Sequence, residues 1–366
     1  MIRLGIIASK RGVVLAAASL YLVIIGLLIQ FSIHSSDRLA RYQPKPITQV
    51  VACVIGLICL LVVNKLPMSV WRRFAIVGYI VVVMLMLVVR QTGVEVFGAK
   101  RWLTIGGFQL QPSELMKPVL VFVAAGLLVG FTTKNAKRRL AILLVTAALP
   151  IGLVLLQPDL GTALVLLALW ACQIFVSGID RRYIGFIAAV LVGVAAIGVP
   201  LSTPYQKQRV SSFITGHKAE DASSYNVVQA RIAIGSGGWL GQGLSGGTQS
   251  QLNFLPSQHT DFAFSVVAEK LGFVGALSVL LAEVGLSIAA WRIVIATKGN
   301  YLTLVSSGIA LVFTMQAVVN IAMNVGLLPV TGIPLPLISY GGTSMVVSLI
   351  MIGWLLHIDR LSATMD

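Results

Sequence analysis

Long apolar stretches, separated by short segments that carry most of the charge, dominate this chain of 366 residues. Most of these stretches have a length close to the roughly 20 residues that a helix needs to cross the hydrocarbon core of a bilayer. In that core every backbone N–H and C=O group must be bonded within the protein, which favours helices over open strands. The pattern therefore predicts an all-α, polytopic integral membrane protein.

Ten transmembrane helices follow from the pattern. They are predicted at 13–33, 46–64, 72–90, 114–131, 140–157, 160–178, 183–201, 262–286, 302–324 and 343–358. The last two share one uncharged stretch that is too long for a single helix, and Pro334 and Pro336 lie where it must break. We treat 1–366 as a single membrane domain.

A large outer loop is predicted at 202–261, between the seventh and eighth helices. Its apolar residues are numerous enough to fold onto the bundle, and 226–234 is predicted to form a short amphipathic helix. Basic residues concentrate in the alternate short loops on the other side of the membrane, and such loops face the cytoplasm. Both termini are therefore predicted to be cytoplasmic.

The composition excludes a soluble domain, because 57% of the residues are hydrophobic, only 11% are charged, and the mean hydropathy is +0.93. The net charge of +15 could indicate nucleic-acid binding. Most of these charges, however, lie in pairs beside the predicted spans, where they meet anionic lipid headgroups. No nucleic-acid partner is expected.

The sequence LPSQHTDFAF places a candidate catalytic carboxylate, Asp261, at the mouth of the eighth helix, beside His259 and Thr260. Thr260 is predicted to cap this helix, which leaves Asp261 to accept a proton from a sugar hydroxyl. A capping role for Asp261 itself is the alternative. The residues alone leave the two open.

Asp159 in QPDLGTA lies at a turn between two spans, where a helix N-cap is slightly favoured over a role in binding substrate. Glu114 and Lys117 are spaced to form an ion pair on one helix face, although Lys117 could instead bind a phosphate. Arg101 and Trp102 in GAKRWLTIGG suit either an interfacial anchor or contacts with a phosphate and a sugar face.

Glu269 is predicted on the same helix face as Asp261, about 12 Å deeper along the axis. Lys270 is adjacent to it in sequence, so the two side chains diverge and need different partners. Charged groups at membrane depth usually face a bundle interior or a cavity. The sequence leaves open whether Glu269 and Lys270 form functional or structural ion pairs.

The outer face thus combines cations, carboxylates and an aromatic residue next to lipid, and Arg209 and Arg231 are further cations. This combination suits a lipid-linked anionic substrate. The three cysteines lie inside apolar spans, and no Cys/His spacing predicts a metal site. A divalent cation is left open as a cofactor.

A membrane transporter or lipid flippase is the alternative function, because charges such as Glu283 lie within spans. A non-catalytic scaffold is a third possibility.

Four motifs appear in a fixed order: GAKRWLTIGGFQLQPSELMK, QPDLGTA, NFLPSQHTDFAFSVVAEKLGFVG and GIPLPLISYGGTSM. Together they resemble the SEDS (shape, elongation, division and sporulation) family across nearly the whole chain from the third helix onward. The form QSQLNFLPSQHTDF is closer to the elongation-type branch. Ser257 departs from the family, whose members often have Glu at this position.

The resemblance implies a peptidoglycan glycosyltransferase that polymerises lipid II at the outer face of the bacterial cytoplasmic (inner) membrane, in cell elongation. It implies a class B penicillin-binding protein as transpeptidase partner and other elongation-complex membrane proteins. Within the family's motifs, the essential aspartate corresponds to Asp261, the conserved tryptophan to Trp102 and the conserved fourth-helix lysine to Lys117. These assignments are expectations.

Overall fold

The computed structural model describes residues 9–36, 46–96, 99–106, 108–129, 136–178, 185, 213 and 222–364. Apart from residues 185 and 213, the predicted span at 183–201 and the first part of the outer loop, including Arg209, lie outside the described residues.

Eleven helices are present in the described part of the chain. They are α1 (Lys10–Ser36), α2 (Pro46–Lys65), α3 (Met68–Thr92), α4 (Pro112–Val129), α5 (Ala136–Leu155), α6 (Leu160–Val176), α7 (Ala222–Ser236), α8 (Thr248–Gln251), α9 (Ala263–Ala296), α10 (Asn300–Asn324) and α11 (Gly342–Ala363). Eight of them are long and apolar enough to cross a membrane, and α6 is a shorter apolar helix. The predicted class, a polytopic all-α membrane protein, is confirmed.

The short helix predicted at 226–234 in the outer loop is present as the longer helix α7. Its buried positions, Val227, Ala230 and Ala233, recur at helical spacing and lie on one face. Arg231 and Ile232 on the other side are exposed. The outer loop therefore folds onto the bundle through one apolar face of α7.

Helix α9 is longer than the span predicted at 262–286, since it continues to Ala296. At about 1.5 Å per residue, its 34 residues would measure about 51 Å, against roughly 30 Å of hydrocarbon. The helix is broken at Gly272, whose φ of 69° and ψ of −168° are not helical. Hydropathy locates the stretch that crosses the lipid, but it does not locate the ends of a helix that projects beyond it.

A small antiparallel sheet, which the hydropathy pattern did not predict, connects α3 to α4. Its strands are β1 (Val94–Val96), β2 (Ala99–Ile105) and β3 (Phe108–Leu110), in the order β1-β2-β3. Such short strands outside the apolar stretches leave no signal in a window as wide as a membrane span. The hydroxyl of Thr343 at the start of α11 donates to the Gln109 carbonyl at 2.8 Å, which ties the sheet to the bundle.

The segment 331–341, predicted as the break between the last two spans, packs into the bundle without helical structure. Ile333, Leu335, Leu337 and Ile338 in this segment are buried. A Cβ atom on Gly26 of α1 would lie 2.6 Å from the Leu337 carbonyl oxygen, and one on Gly161 of α6 would lie 2.5 Å from that of Thr331. These glycines allow the close approach of two helices to the segment.

An ion pair joins the first helix to the last one. Arg11 Nε contacts the Asp359 carboxylate, which also accepts a hydrogen bond from the Ser9 hydroxyl at 2.6 Å. The start of α1 and the end of α11 therefore lie at the same end of the bundle, which we call the basic end. Its basic residues include Lys10, Arg11, Lys65, Arg72, Arg73, Arg292 and Arg360. The sheet and Asp261 lie at the opposite end.

Candidate active site

Asp261 lies on the turn 256–262, directly before α9. The backbone N–H groups of Thr260, Asp261 and Phe262 all point to the Ser257 carbonyl, at 3.1, 3.2 and 3.4 Å. Asp261 is half-buried, whereas Phe262 is buried and fixes the end of the turn. The turn thus holds the aspartate where the chain enters the bundle.

The prediction that Thr260 caps α9 is wrong. The residue at the N-cap position of α9 is Phe262, whose side chain makes no capping hydrogen bond. The Thr260 hydroxyl donates instead to the Ser257 carbonyl at 3.3 Å. The tight turn places Thr260 too early in the chain to reach the first free amide groups of the helix.

Two asparagines of α10 hold the backbone of Asp261. The Nδ2 groups of Asn320 and Asn324 donate to its carbonyl oxygen at 3.0 and 2.9 Å. Asn324 Oδ1 accepts from the hydroxyl and the N–H group of Ser265 at 2.6 and 3.1 Å, and Asn320 also donates to the Ile333 carbonyl at 2.8 Å. Both asparagines are fully buried, so this network ties Asp261, α9 and the segment 331–341 together.

The two preceding carbonyls of the turn are also held. The His259 carbonyl accepts from the Tyr340 N–H group at 2.7 Å and from Gln30 Nε2 of α1 at 3.1 Å. The Thr260 carbonyl accepts from the Ser339 hydroxyl at 2.6 Å. Three consecutive carbonyls at residues 259–261 are thus bound from outside the turn, which restricts the position of the Asp261 side chain.

The segment that supplies Ser339 and Tyr340 is itself fixed by α2. Gln49 Nε2 donates to the Ser339 carbonyl at 3.2 Å, and Gln49 Oε1 accepts from the Gly341 N–H group at 3.1 Å. Burial raises the pKa of the Tyr340 phenol, while a hydrogen bond with the Thr48 side chain lowers it. Tyr340 is therefore a neutral phenol near the turn at physiological pH.

Asp159 is the N-cap of α6, as the slightly favoured interpretation predicted. Its carboxylate accepts from the N–H group of Thr162 at 3.1 Å and from the Thr162 hydroxyl at 3.0 Å. Arg101 Nη1 lies 3.8 Å from the same carboxylate. Gly161, two residues on, packs against Thr331, so this cluster adjoins the segment that holds the Asp261 turn.

Arg101 of β2 is bound to the turn before α6. Its guanidinium donates to the carbonyls of Gln157 and Pro158 at 2.8 and 2.5 Å, in addition to its contact with Asp159. Trp102, the next residue, is half-buried and pairs with Val94 of β1 in the sheet. The structure therefore places Arg101 against protein carbonyls, with Trp102 beside it at the same end of the bundle as Asp261.

Glu114 and Lys117 form the ion pair that their spacing predicted, with 2.6 Å between Lys117 Nζ and Glu114 Oε1. Both side chains are almost fully buried in α4. A buried charge without a partner is costly, and here each residue is the charged partner of the other. For Lys117 to bind a phosphate, this pair must open or share its ammonium group.

Glu269 and Lys270 have different partners, as their adjacent positions predicted. The Glu269 carboxylate accepts from the N–H groups of Gln249 and Ser250 at 2.7 and 3.1 Å. The Lys270 ammonium donates to the carbonyls of Leu244 and Gly246, both at 3.0 Å. Both side chains are fully buried and bind the backbone of the outer loop.

The outer loop also completes the break in α9. The N–H groups of Gln242 and Gly243 donate to the carbonyls of Glu269 and Lys270, both at 3.0 Å. At Gly241, which has a φ of 82°, a Cβ atom would lie 2.2 Å from the Lys270 carbonyl oxygen. Only glycine combines this conformation with so close an approach. The kink at Gly272 is therefore a docking point for the loop.

No group of three or more His, Cys, Asp or Glu side chains that could hold a metal ion occurs in the described ranges. Arg231, one of the predicted cations, is exposed on α7, next to Gly326. Most of the predicted site residues thus form three groups: the Asp261 turn with His259 and Thr260, the Arg101–Asp159 contact, and the Glu114–Lys117 pair. Trp102 is next to Arg101 in the sheet, and Glu269 is separate, because it binds the outer loop.

Sequence reasoning missed Asn320 and Asn324. Their signal is the stretch NIAMN, in which two amides recur at helical spacing inside an otherwise apolar span. Buried polar groups are normally hydrogen-bonded, so a pair of this kind predicts a partner on a neighbouring element. The sequence does not say that this partner is the backbone of Asp261.

Known proteins resemble this chain over most of its length. The family model for FtsW, RodA and SpoVE, described as Cell cycle protein, matches residues 13–364. Peptidoglycan glycosyltransferase MrdB of Escherichia coli (strain K12) is 36% identical over 295 residues, which cover 80% of each chain. Probable peptidoglycan glycosyltransferase FtsW of Pseudomonas fluorescens is 34% identical over 364 residues, covering 94% of this chain and 87% of the relative.

Two solved structures have the same fold. A chain of a peptidoglycan synthase complex that coordinates polymerization and crosslinking superposes with a TM-score of 0.77 and 29% identity, over 95% of this chain and 97% of that one. Rod shape determining protein RodA of Thermus thermophilus superposes with a TM-score of 0.68 and 29% identity, over 94% and 95% of the two chains. The protein therefore belongs to the SEDS family, which includes FtsW, RodA and SpoVE.

Proposed function

We propose that this protein is a peptidoglycan glycosyltransferase that polymerises lipid II into glycan strands during cell elongation. The relatives named peptidoglycan glycosyltransferase support the activity, and the similarity to MrdB and RodA supports the elongation role. The observation that carries the proposal is the half-buried Asp261 on a turn whose three consecutive carbonyls are all bound from outside.

Asp261 is the general base in this proposal. Its carboxylate accepts the proton of the acceptor sugar's 4-hydroxyl while that oxygen attacks the anomeric carbon of a second lipid-linked sugar. The bond from the anomeric carbon to the pyrophosphate oxygen breaks, with inversion at carbon, and undecaprenyl pyrophosphate leaves with the electron pair. Pyrophosphate needs no proton to depart, so a single carboxylate suffices, unlike the acid pair of common glycosidases.

Preorganisation is the main contribution of the surrounding residues. A misplacement of about 1 Å can cost on the order of 10²-fold in rate, so a turn fixed at its carbonyls has a catalytic value. Asn320 and Asn324 position Asp261 through its backbone and do not take part in the chemistry. His259 and Thr260 shape the same turn and line the approach of the acceptor sugar.

Lys117 and Arg101 are the proposed partners of the leaving pyrophosphate. Cations placed where negative charge develops lower the barrier more than they help ground-state binding. In the structure Lys117 is paired with Glu114, and Arg101 is bound to carbonyls and to Asp159. Each therefore exchanges protein partners for phosphate oxygens when substrate binds, and Trp102 contacts a sugar face.

We assign Glu269 to the outer loop, because both of its oxygens accept from backbone amides in 249–250. Glu269 then affects substrate binding only indirectly, because it stabilises the fold of the loop that leads to Asp261. A divalent cation, if one assists the reaction, would have to be held partly by substrate oxygens, because the described residues offer no cluster of three ligands.

A class B penicillin-binding protein is the proposed transpeptidase partner, with further membrane proteins of the elongation complex around the pair. The similarity to a chain from a complex that coordinates polymerization with crosslinking supports this assignment. We place the multi-pass protein in the bacterial cytoplasmic membrane with both termini in the cytoplasm. The ion pair between α1 and α11 and the basic residues at that end support this orientation.

A lipid II flippase is the second candidate, and one observation still favours it. Glu283 is buried within α9, and among the described residues neither of its carboxylate oxygens has a hydrogen-bond partner. Charged groups inside spans often line transport pathways. Glu269 and Lys270, which also motivated this candidate, are instead bound to the outer loop.

The decisive experiment is polymerisation of purified lipid II by the full chain, with and without a class B penicillin-binding protein, for wild type and Asp261→Asn. Polymer from wild type only, with equal thermal stability of the two proteins, is the expected result. Normal polymer from Asp261→Asn contradicts the base assignment. No polymer from either protein, with lipid II crossing liposomes instead, favours the flippase.

A further inference from the structure

A cavity of ≈ 370 Å³ lies at the basic end of the bundle, between the start of α1 and the end of α9. Its lining consists of Ser9, Lys10, Arg11, Arg292, Ile295 and Ala296. The cavity is at the opposite end from Asp261, and the reaction proposed above makes no use of it. Three of its six lining residues are cations, which is unusual for a cavity beside a lipid-facing helix.

The charges at this cavity are only partly neutralised. The Asp359 carboxylate contacts Arg11 and Ser9, so it is already occupied by one cation of the lining. Lys10 and Arg292 are exposed, and in the described part of the chain no Asp or Glu oxygen lies within 4.0 Å of either one. Their ammonium and guanidinium groups are therefore available to an anionic ligand.

The surroundings of the cavity are apolar. Ile295, in its lining, is 83% exposed, and Val13 and Val14, one turn further along α1, are 54% and 48% exposed. Both helices are long and apolar enough to cross a membrane. The cavity is therefore lined by cations and has exposed apolar side chains in and beside its lining.

We propose that this cavity binds the phosphate group of an anionic phospholipid from the leaflet at the basic end. Basic pockets between transmembrane helices on the cytoplasmic side suit anionic lipid headgroups. In this proposal Lys10 and Arg292 contact the phosphate, Arg11 stays paired with Asp359, and Ile295 contacts an acyl chain. The lipid thereby bridges α1 and α9, the helix that begins at the Asp261 turn.

Native mass spectrometry of the purified full chain in detergent tests this site. The probes are phosphatidylglycerol, phosphatidylethanolamine and inorganic phosphate, each titrated separately. The double variant Lys10→Ala/Arg292→Ala is compared with Lys65→Ala/Arg73→Ala, which removes two exposed basic residues at the same end but outside the cavity. Thermal unfolding of each variant verifies that it folds.

The expected result is retained phosphatidylglycerol adducts in wild type and in the control variant. The cavity variant should bind phosphatidylglycerol on the order of tenfold more weakly, because two cations near the headgroup are lost. Equal weakening in both variants means a diffuse attraction to the basic end, and it overturns the proposal. Equal binding of phosphatidylethanolamine, or displacement by millimolar inorganic phosphate, also overturns the assignment to an anionic lipid.

Discussion

Two carboxylates near the start of α9, Asp261 and Glu269, are held in opposite ways. At Asp261 the backbone carbonyl accepts from Asn320 and Asn324, and the residue is half-buried. At Glu269 the protein binds the carboxylate itself, through the amides of Gln249 and Ser250, and the residue is fully buried.

Under the function proposed above, this difference separates a residue positioned for chemistry from one used for folding. Both oxygens of the Glu269 carboxylate accept from backbone amides, so this side chain holds the outer loop in place. At Asp261 the bonds from Asn320 and Asn324 fix the backbone carbonyl, and through it the place of the residue. Neutral amides and hydroxyls are suited to this work, since they hold the backbone without neutralising the charge.

The largest expected effect is on catalysis by Asp261→Ala. Loss of a general base typically costs about 10²–10⁴-fold in rate, so lipid II polymerisation should fall by that factor. The thermal unfolding midpoint should change little, because the bonds that hold the turn are made by its backbone. A large drop in the midpoint, with activity lost in proportion to unfolded protein, contradicts the catalytic assignment.

Glu269→Ala should have the opposite effect, a large loss of stability and a smaller loss of activity. Two backbone amides lose their partner, at about 1–3 kcal/mol for each buried unsatisfied group, so thermal stability should fall clearly. Activity per folded molecule should fall less than in Asp261→Ala. Glu269→Gln, which retains one accepting oxygen, is the matched variant and should recover part of the stability. Unchanged stability in Glu269→Ala means that the loop does not depend on this anchor.

Asn324→Leu tests positioning without touching the carboxylate. The variant removes one amide from the Asp261 carbonyl and the acceptor of Ser265, so we expect a loss on the order of 10-fold in turnover from misplacement of the base. The pH dependence of the residual activity should keep the wild-type shape, because the base is unchanged. Asn324→Asp, which keeps an accepting oxygen for Ser265 but loses the donor to Asp261, separates the two contacts.

Asp159→Ala should have the smallest effect of the four. Loss of an N-cap typically costs about 0.5–2 kcal/mol of stability. Removal of the hydrogen bond between Asp159 and the Thr162 amide should therefore lower the unfolding midpoint. Asp159→Asn preserves capping and removes the charge near Arg101. Full activity in the Asn variant means that Asp159 is structural only, whereas a strong loss of activity indicates a role in binding substrate.

The ion pair of Glu114 with Lys117 and the cap at Asp159 could be predicted because both depend on residues close in sequence. The cap expected from Thr260 failed for a local reason, since the turn that ends at Phe262 is tighter than the sequence indicates. The partners of Glu269 and Lys270 could not be predicted, because both residues bind backbone groups of a loop that is distant in sequence. Every residue has such backbone groups, so the sequence does not indicate which ones are bound.

The apolar pattern is enough to predict that this protein lies in a lipid bilayer, that it is helical, and roughly where the spans in its described part run, because the lipid core admits few other structures for apolar stretches. Ordered motifs along the chain determined the family. The tertiary structure alone decided that the segment 331–341 and the amides of α10 meet at the Asp261 turn. That arrangement depends on which helices become neighbours, and contacts between residues far apart in the chain leave no periodic trace in the sequence.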